Sequence, residues 1–186
     1  GAPGARRRPA SGRQPPRPEL VAMDVDGTIA GADHGLSPYT VRTLRRLRDR
    51  RIAGVIVTGR AEGVALSIAH ELRFTAPVIS CNGAVITDPV TGARLRVRQM
   101  DPEATAHAVA AARRLGCSPT LWTPDAWFAD EESPTTELLT HLLAEPPRFR
   151  PLADVIADEK VVKVMVGGDP EHLDRVDETL RTEVPG

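Results

Sequence analysis

Asp24 and Asp26 stand one residue apart at the end of the apolar run Leu20-Val-Ala-Met, and no other pair in the 186-residue chain is so well placed for chemistry. Residues i and i+2 of a strand share a face, yet two carboxylates cannot sit inside a sheet core. The strand must therefore end near Asp24, and Gly27 must turn the chain. Both acids then crowd one small volume at a strand tip, which suits a divalent metal and a phosphoryl group. One carboxylate can attack phosphorus to give an aspartyl phosphate, while the other protonates the leaving oxygen and later activates water. A calcium loop of the EF-hand kind also opens Asp-x-Asp. Counted from Asp24, however, its turn position holds Ile29 instead of Gly and its twelfth holds Gly35 instead of Glu, which excludes it.

The elements that must position these acids follow in order. Ala30 to Leu36 is a loop, and Ser37-Pro38 is a helix start, Ser as N-cap and Pro at the first helical position. Val41, Leu44 and Leu47 give that helix an apolar face, with arginines on the solvated remainder. Ile52 to Val57 reads as a second strand, ending in Thr58-Gly59-Arg60 before a helix with Val64, Ile68 and Leu72 on one side. Strand, helix, strand, helix implies parallel strands, whose crevice lies outside their carboxyl ends, so Thr58 is expected beside Asp24. A hydroxyl and backbone N–H groups at a helix start can hold a phosphate, although a Thr that merely caps the next helix has the same sequence. Arg60 reaches either a substrate or only the helix end.

Val78-Ile79-Ser80 is a third strand, followed by the tight turn Cys81-Asn82-Gly83-Ala84, where Asn82 is either a turn residue or a neighbour of the substrate. From Val85 onward the pattern changes to α+β. Asp101-Pro102-Glu103 and Asp169-Pro170-Glu171 each begin a helix with an Asp cap, Pro at the first position and an acid in the first turn. Between them lie two short strands around Trp122, Trp127 and Phe128, whose aromatic side chains are expected in a core, and the strand Val161 to Val166.

Formal net charge is -1, which excludes a chain that binds nucleic acid by charge as a whole. Gly1 to Pro18, with five arginines, five prolines and no acid, reads as a disordered basic tail, with at most a weak role toward nucleic acid or an acidic partner. Cys81 and Cys117 have neither a disulfide framework nor a zinc-ligand spacing, and no apolar run approaches the roughly 20 residues of a membrane span. A cytoplasmic protein without membrane partners is expected. The spacing of elements leaves the oligomeric state open.

The run Met23 to Thr28, hydrophobic-Asp-x-Asp-Gly-Thr, resembles the first motif of the haloacid dehalogenase-like superfamily of phosphatases and phosphotransferases. The resemblance implies that Asp24 is the nucleophile, with its carboxylate on Mg2+, and that Asp26 is the general acid/base, with its backbone carbonyl on the metal. Val57-Thr58-Gly59-Arg60 is similar to the second motif, in which Thr58, with Gly59 and Gly27, binds the phosphoryl group. Ile79 to Asp88 resembles the entry into the cap of the Cof-type, or IIB, branch. Implied is a Rossmann-like three-layer α/β core with a parallel sheet plus an inserted α+β cap, divided into a tail (1–18), the first part of the core (19–84) and the cap (85–186). The function implied is a magnesium-dependent phosphatase acting on a small phosphorylated metabolite such as a sugar phosphate. A phosphomutase or other phosphotransferase, and a non-catalytic phosphate-binding remnant, are the alternatives.

The superfamily adds a lysine and a second acidic motif to offset the charge that gathers in phosphoryl transfer. Lys160 and Lys163 are the chain's two lysines, and Gly168-Asp169 with Asp174 loosely matches the acidic motif. Asp169-Pro170-Glu171 is so good a helix start that all of these are assigned to the cap. The chain is then expected to stop inside or at the end of its cap, with weak magnesium binding and little turnover by itself.

Overall fold

The computed structural model describes residues 18–31, 35–143 and 145–183, so all of the basic tail except Pro18 lies outside the described residues. Strands β1 (Leu20–Met23) and β2 (Ala53–Ile56) run parallel, Leu20 opposite Ala53 and Met23 opposite Ile56. A parallel bridge from Val57 to Ile79 carries the order on to β3 (Val78–Ser80). Val57 N–H donates to the Met23 carbonyl and Thr58 N–H to the Ile79 carbonyl, each at 2.9 Å, so the strands end side by side. Among the described residues β1 pairs on one side only, which is why Leu20 stays 54% exposed in so apolar a strand.

Helices α1 (Pro38–Asp49) and α2 (Glu62–Leu72) make the crossovers, packing on β2 and on each other. The start of α1 is set by sequence: Pro38 occupies its first turn, and the Ser37 hydroxyl accepts the Thr40 N–H at 3.0 Å. Val25, Ile56, Ala65, Leu72 and Val78 form the core beneath the helices, closed by Phe74. Phe74 lies flat on Gly54, where a methyl group would overlap its ring. Gly54→Ala is expected to destabilise the protein by about 1–3 kcal/mol through overpacking, read as a lower thermal midpoint; an unchanged midpoint would show that the ring can move aside.

After β3 the chain turns back through a short 3-10 turn, Cys81–Gly83, into β4 (Val85–Thr87) and β5 (Arg94–Val97), giving the antiparallel order β3-β4-β5. A second sheet follows. Helix α3 (Pro102–Arg114) begins where the Asp101 carboxylate accepts the Ala104 N–H at 2.9 Å, as its sequence predicts. Then come β6 (Ser118–Trp122), β7 (Trp127–Ala129), α4 (Pro134–Leu143), β8 (Arg148–Phe149), α5 (Leu152–Asp158), β9 (Lys163–Gly167) and α6 (Pro170–Glu183). The strands lie in the order β8-β7-β6-β9, with β6 antiparallel to both neighbours and β8 parallel to β7. Leu121, Phe128, Leu152, Val155 and Val161 pack with Val109 of α3, while Ala112 and Cys117 meet Val176 of α6.

Residues 134–158 hold α4, β8 and α5, for which the sequence analysis gives no element. Their signal was present, because Ser133-Pro134 repeats Ser37-Pro38 and the Ser133 hydroxyl accepts the Thr136 N–H at 3.2 Å. Both cysteines are free and buried. No described helix is long and apolar enough to cross a membrane.

Candidate active site

The three parallel strands end together, and each delivers one segment to the same edge of the sheet. Asp24 is the residue after β1, Thr58 lies two past β2, and Cys81–Gly83 directly follows β3. Val25 is fully buried while Asp24 and Asp26 on either side of it are exposed, so the two carboxylates share the open face of the strand tip. Behind them the chain folds back on itself, with the N–H groups of Thr28, Ile29 and Ala30 all aimed at the Val25 carbonyl and Gly27 in the left-handed region at φ 72°. One Asp24 oxygen accepts the Val25 N–H at 2.8 Å.

Arg60 reaches across from the second loop to Asp26. Its Nε donates to Oδ2 at 3.0 Å and its Nη2 to Oδ1 at 2.6 Å, a two-pronged pairing that holds the guanidinium above its usual pKa. Sequence left Arg60 between the substrate and its own helix end; its observed partner is the second aspartate. Thr58 is 3% exposed and does not cap α2, whose cap position is Ala61 with no side-chain bond. The Thr58 hydroxyl instead accepts the Arg60 N–H at 3.2 Å, bracing the loop from within. Gly59 has no room for a side chain, because a methyl group there would collide with the Asn82 carboxamide oxygen. Asn82 is thus packed on the second loop, held by a turn in which Cys81, Asn82 and Gly83 all have positive φ (50°, 55° and 91°). Gly59→Ala is expected to push Asn82 off the loop, seen as a displaced Asn82 side-chain amide signal in an otherwise unchanged NMR spectrum.

Lys163 connects the second sheet to the Thr58–Arg60 loop. Its strand belongs to the second sheet, as expected, yet its Nζ donates to the Gly59 carbonyl at 3.2 Å and lies 5.0 Å above the Trp122 ring. Asp169 remains in the second unit, at the head of α6, where its carbonyl accepts the N–H groups of His172 and Leu173. An ionic link also joins the units, since Arg94 of β5 bridges Glu62 of α2 and Asp125 of the β6–β7 loop. Trp122 and Trp127 are buried, stacked 5.5 Å apart, and pack with Leu139 against Ala61 of the core.

The exposed Asp24 carboxylate offers hard oxygen donors, while the Asp26 carboxylate is engaged by Arg60, and among the described residues no group of three or more His, Cys, Asp or Glu side chains forms a complete metal cage. That donor set fits a cation held by one or two carboxylates and otherwise by water or ligand oxygens, which is the habit of Mg2+.

Comparison with known proteins gives one consistent result. Phosphatase YwpJ of Bacillus subtilis (strain 168) is 41% identical over 71 residues, which are 38% of this chain and 25% of that protein. A haloacid dehalogenase-like hydrolase from Bacteroides thetaiotaomicron superposes with a TM-score of 0.75 at 21% identity, covering 90% of this chain and 65% of its own. A sugar phosphatase of subclass IIB superposes with a TM-score of 0.69 at 15% identity, covering 88% of this chain and 64% of its own. The chain therefore spans about two thirds or less of the length of these relatives, and at such identities the two superpositions show the Rossmann-like fold alone. The sequence model of the haloacid dehalogenase-like hydrolases matches residues 21–186, from the strand that carries the aspartates onward, and the chain belongs to that family.

Proposed function

We propose that the protein is a phosphatase that releases phosphate from a small phosphorylated metabolite, such as a sugar phosphate, through an aspartyl phosphate on Asp24. The observation that carries this reading is the pairing of Asp24 and Asp26 on the open side of the β1 tip, next to the Thr58–Gly59 loop. Asp24 presents a carboxylate oxygen to solvent, and its bond to the Val25 N–H fixes the orientation of the group. Asp26 serves as general acid/base, and for that role its carboxyl must exchange Arg60 for the leaving oxygen; Arg60 thereby holds the acid in place between turnovers. Thr58, Gly59 and Gly27 line the loops that would hold the phosphoryl oxygens. Mg2+, when bound, would be held by Asp24 and Asp26 and would supply positive charge against those oxygens. The α+β unit from Val85 onward acts as the cap, covering the crevice and excluding bulk water. The family and the likeness to a subclass IIB sugar phosphatase support this assignment.

The test is phosphate release from p-nitrophenyl phosphate with Mg2+ and after its removal by EDTA. Release from this chain by itself is expected to be slow, to stop with EDTA and to resume with Mg2+. Release indifferent to both would sink the metal-assisted reading.

A further inference from the structure

The Thr58–Arg60 loop has two sides, and the aspartates use only one. The Arg60 side chain reaches Asp26, whereas the three carbonyls of the loop point elsewhere: Thr58 to the Asn82 N–H at 3.2 Å, Gly59 to Lys163, and Arg60 to the Cys81 N–H at 3.0 Å. On that second side lies a cavity of about 490 Å³, lined by Asn82, Arg98, Gln99, Asp101 and Lys163 among others. Among the described residues neither Lys163 nor Arg98 has a carboxylate partner. Asp101, the one acid in the lining, has an oxygen committed to capping α3.

A partly buried ammonium held by one carbonyl and an indole face keeps donors in reserve, and burial pushes it below its usual pKa; both are the marks of a cation without its counter-ion. Asn82 reaches the same place through two consecutive non-glycine residues in the left-handed region, strain of about 1–3 kcal/mol each that recurs at ligand sites. We propose that this cavity is a second anion subsite, in which Lys163, Arg98 and Asn82 bind a phosphate group other than the one presented to Asp24. Two cations and a carboxamide match a dianion better than a singly charged carboxylate, and the planar guanidinium suits paired phosphate oxygens. Resting on the phosphatase reading, the subsite narrows the substrate class to small molecules that carry two phosphates.

With two lysines in the sequence, labelling with [13Cε]lysine gives two signals, and Lys160→Arg identifies which is Lys163. Titration of the metal-free chain with inorganic phosphate is expected to move the Lys163 signal saturably and leave Lys160 in place. Acetate should bind at least about tenfold more weakly, and Arg98→Gln should weaken phosphate by about tenfold, the loss of one charge-assisted contact. The proposal is overturned if neither lysine responds saturably, if both move in parallel, if acetate binds as well as phosphate, or if Arg98→Gln leaves the phosphate affinity unchanged and so returns the anion to the first site. Absence of p-nitrophenyl phosphate hydrolysis alongside an intact Lys163 response would count against the phosphatase reading alone.

Discussion

Phosphate release by the Asp24→Asn protein is expected to be at least about a thousandfold slower than by wild type, a loss of about 4 kcal/mol or more of transition-state stabilisation. The replacement keeps the shape of the side chain and an oxygen able to accept the Val25 N–H, so the turn after β1 should survive. On the proposed mechanism it removes the negative oxygen that attacks phosphorus. Asp24 is exposed, so the stability change should stay within about 0.5 kcal/mol. Activity and stability therefore separate, and thermal melts run beside the assay distinguish a lost nucleophile from a lost fold. A direct readout is available too: beryllium fluoride with Mg2+, a mimic of an acyl phosphate, should give a bound 19F signal with wild type and none with Asp24→Asn. Retention of a tenth of wild-type turnover by Asp24→Asn would remove Asp24 from the mechanism.

Residues that act through their own strand or turn are legible in the sequence. The alternation that buries Val25 and exposes Asp24 and Asp26 is a property of an extended chain, and the caps Ser37 and Asp101 work through bonds three residues long. Thr58 was legible in place, since parallel strands deliver their carboxyl ends together, although only the structure shows that it braces its own loop rather than capping α2. Residues that act across elements were not. Lys163 reaches Gly59 over a separation of 104 positions, and Arg94 reaches Glu62 over 32; no periodicity encodes either. Lys163 was assigned to a cap strand, and its strand is indeed in the second sheet, but a strand's sheet does not say how far a four-carbon side chain extends beyond it. The partner of Arg60 was hidden for the same reason, since Asp26 lies 34 residues away on another strand tip.

Glu62 sets up the second large effect, and Glu62→Ala is expected to lower the unfolding free energy by about 2–4 kcal/mol. The Glu62 side chain is 8% exposed, and its carboxylate takes the Thr87 hydroxyl together with a two-pronged Arg94, whose Nε lies 3.1 and 3.0 Å from its oxygens and whose Nη2 lies at 2.7 Å. Truncation strands the Thr87 hydroxyl, itself 1% exposed, and leaves Arg94 with Asp125 alone. Water reaching the guanidinium, whose side chain is 34% exposed, repays part of that loss and sets the lower end of the range. Asp125 offers the control: its side chain is 67% exposed, so Asp125→Ala should cost no more than about 1 kcal/mol although it removes a partner of the same arginine. Arg94 holds the Asp125 carboxyl below its usual pKa, so the stabilisation from that pair is present above the ordinary carboxylate range and fades as pH falls through the lowered value. Urea unfolding of both variants at neutral pH decides the matter, and equal losses would mean that the buried carboxylate adds nothing beyond the exposed one. The consequence extends to the crevice, because Glu62 lies two residues beyond Arg60 and its bridge helps hold the second unit where Lys163 can reach Gly59. Glu62→Ala should therefore also broaden the Lys163 signal in the labelled protein, while Asp125→Ala should leave it sharp.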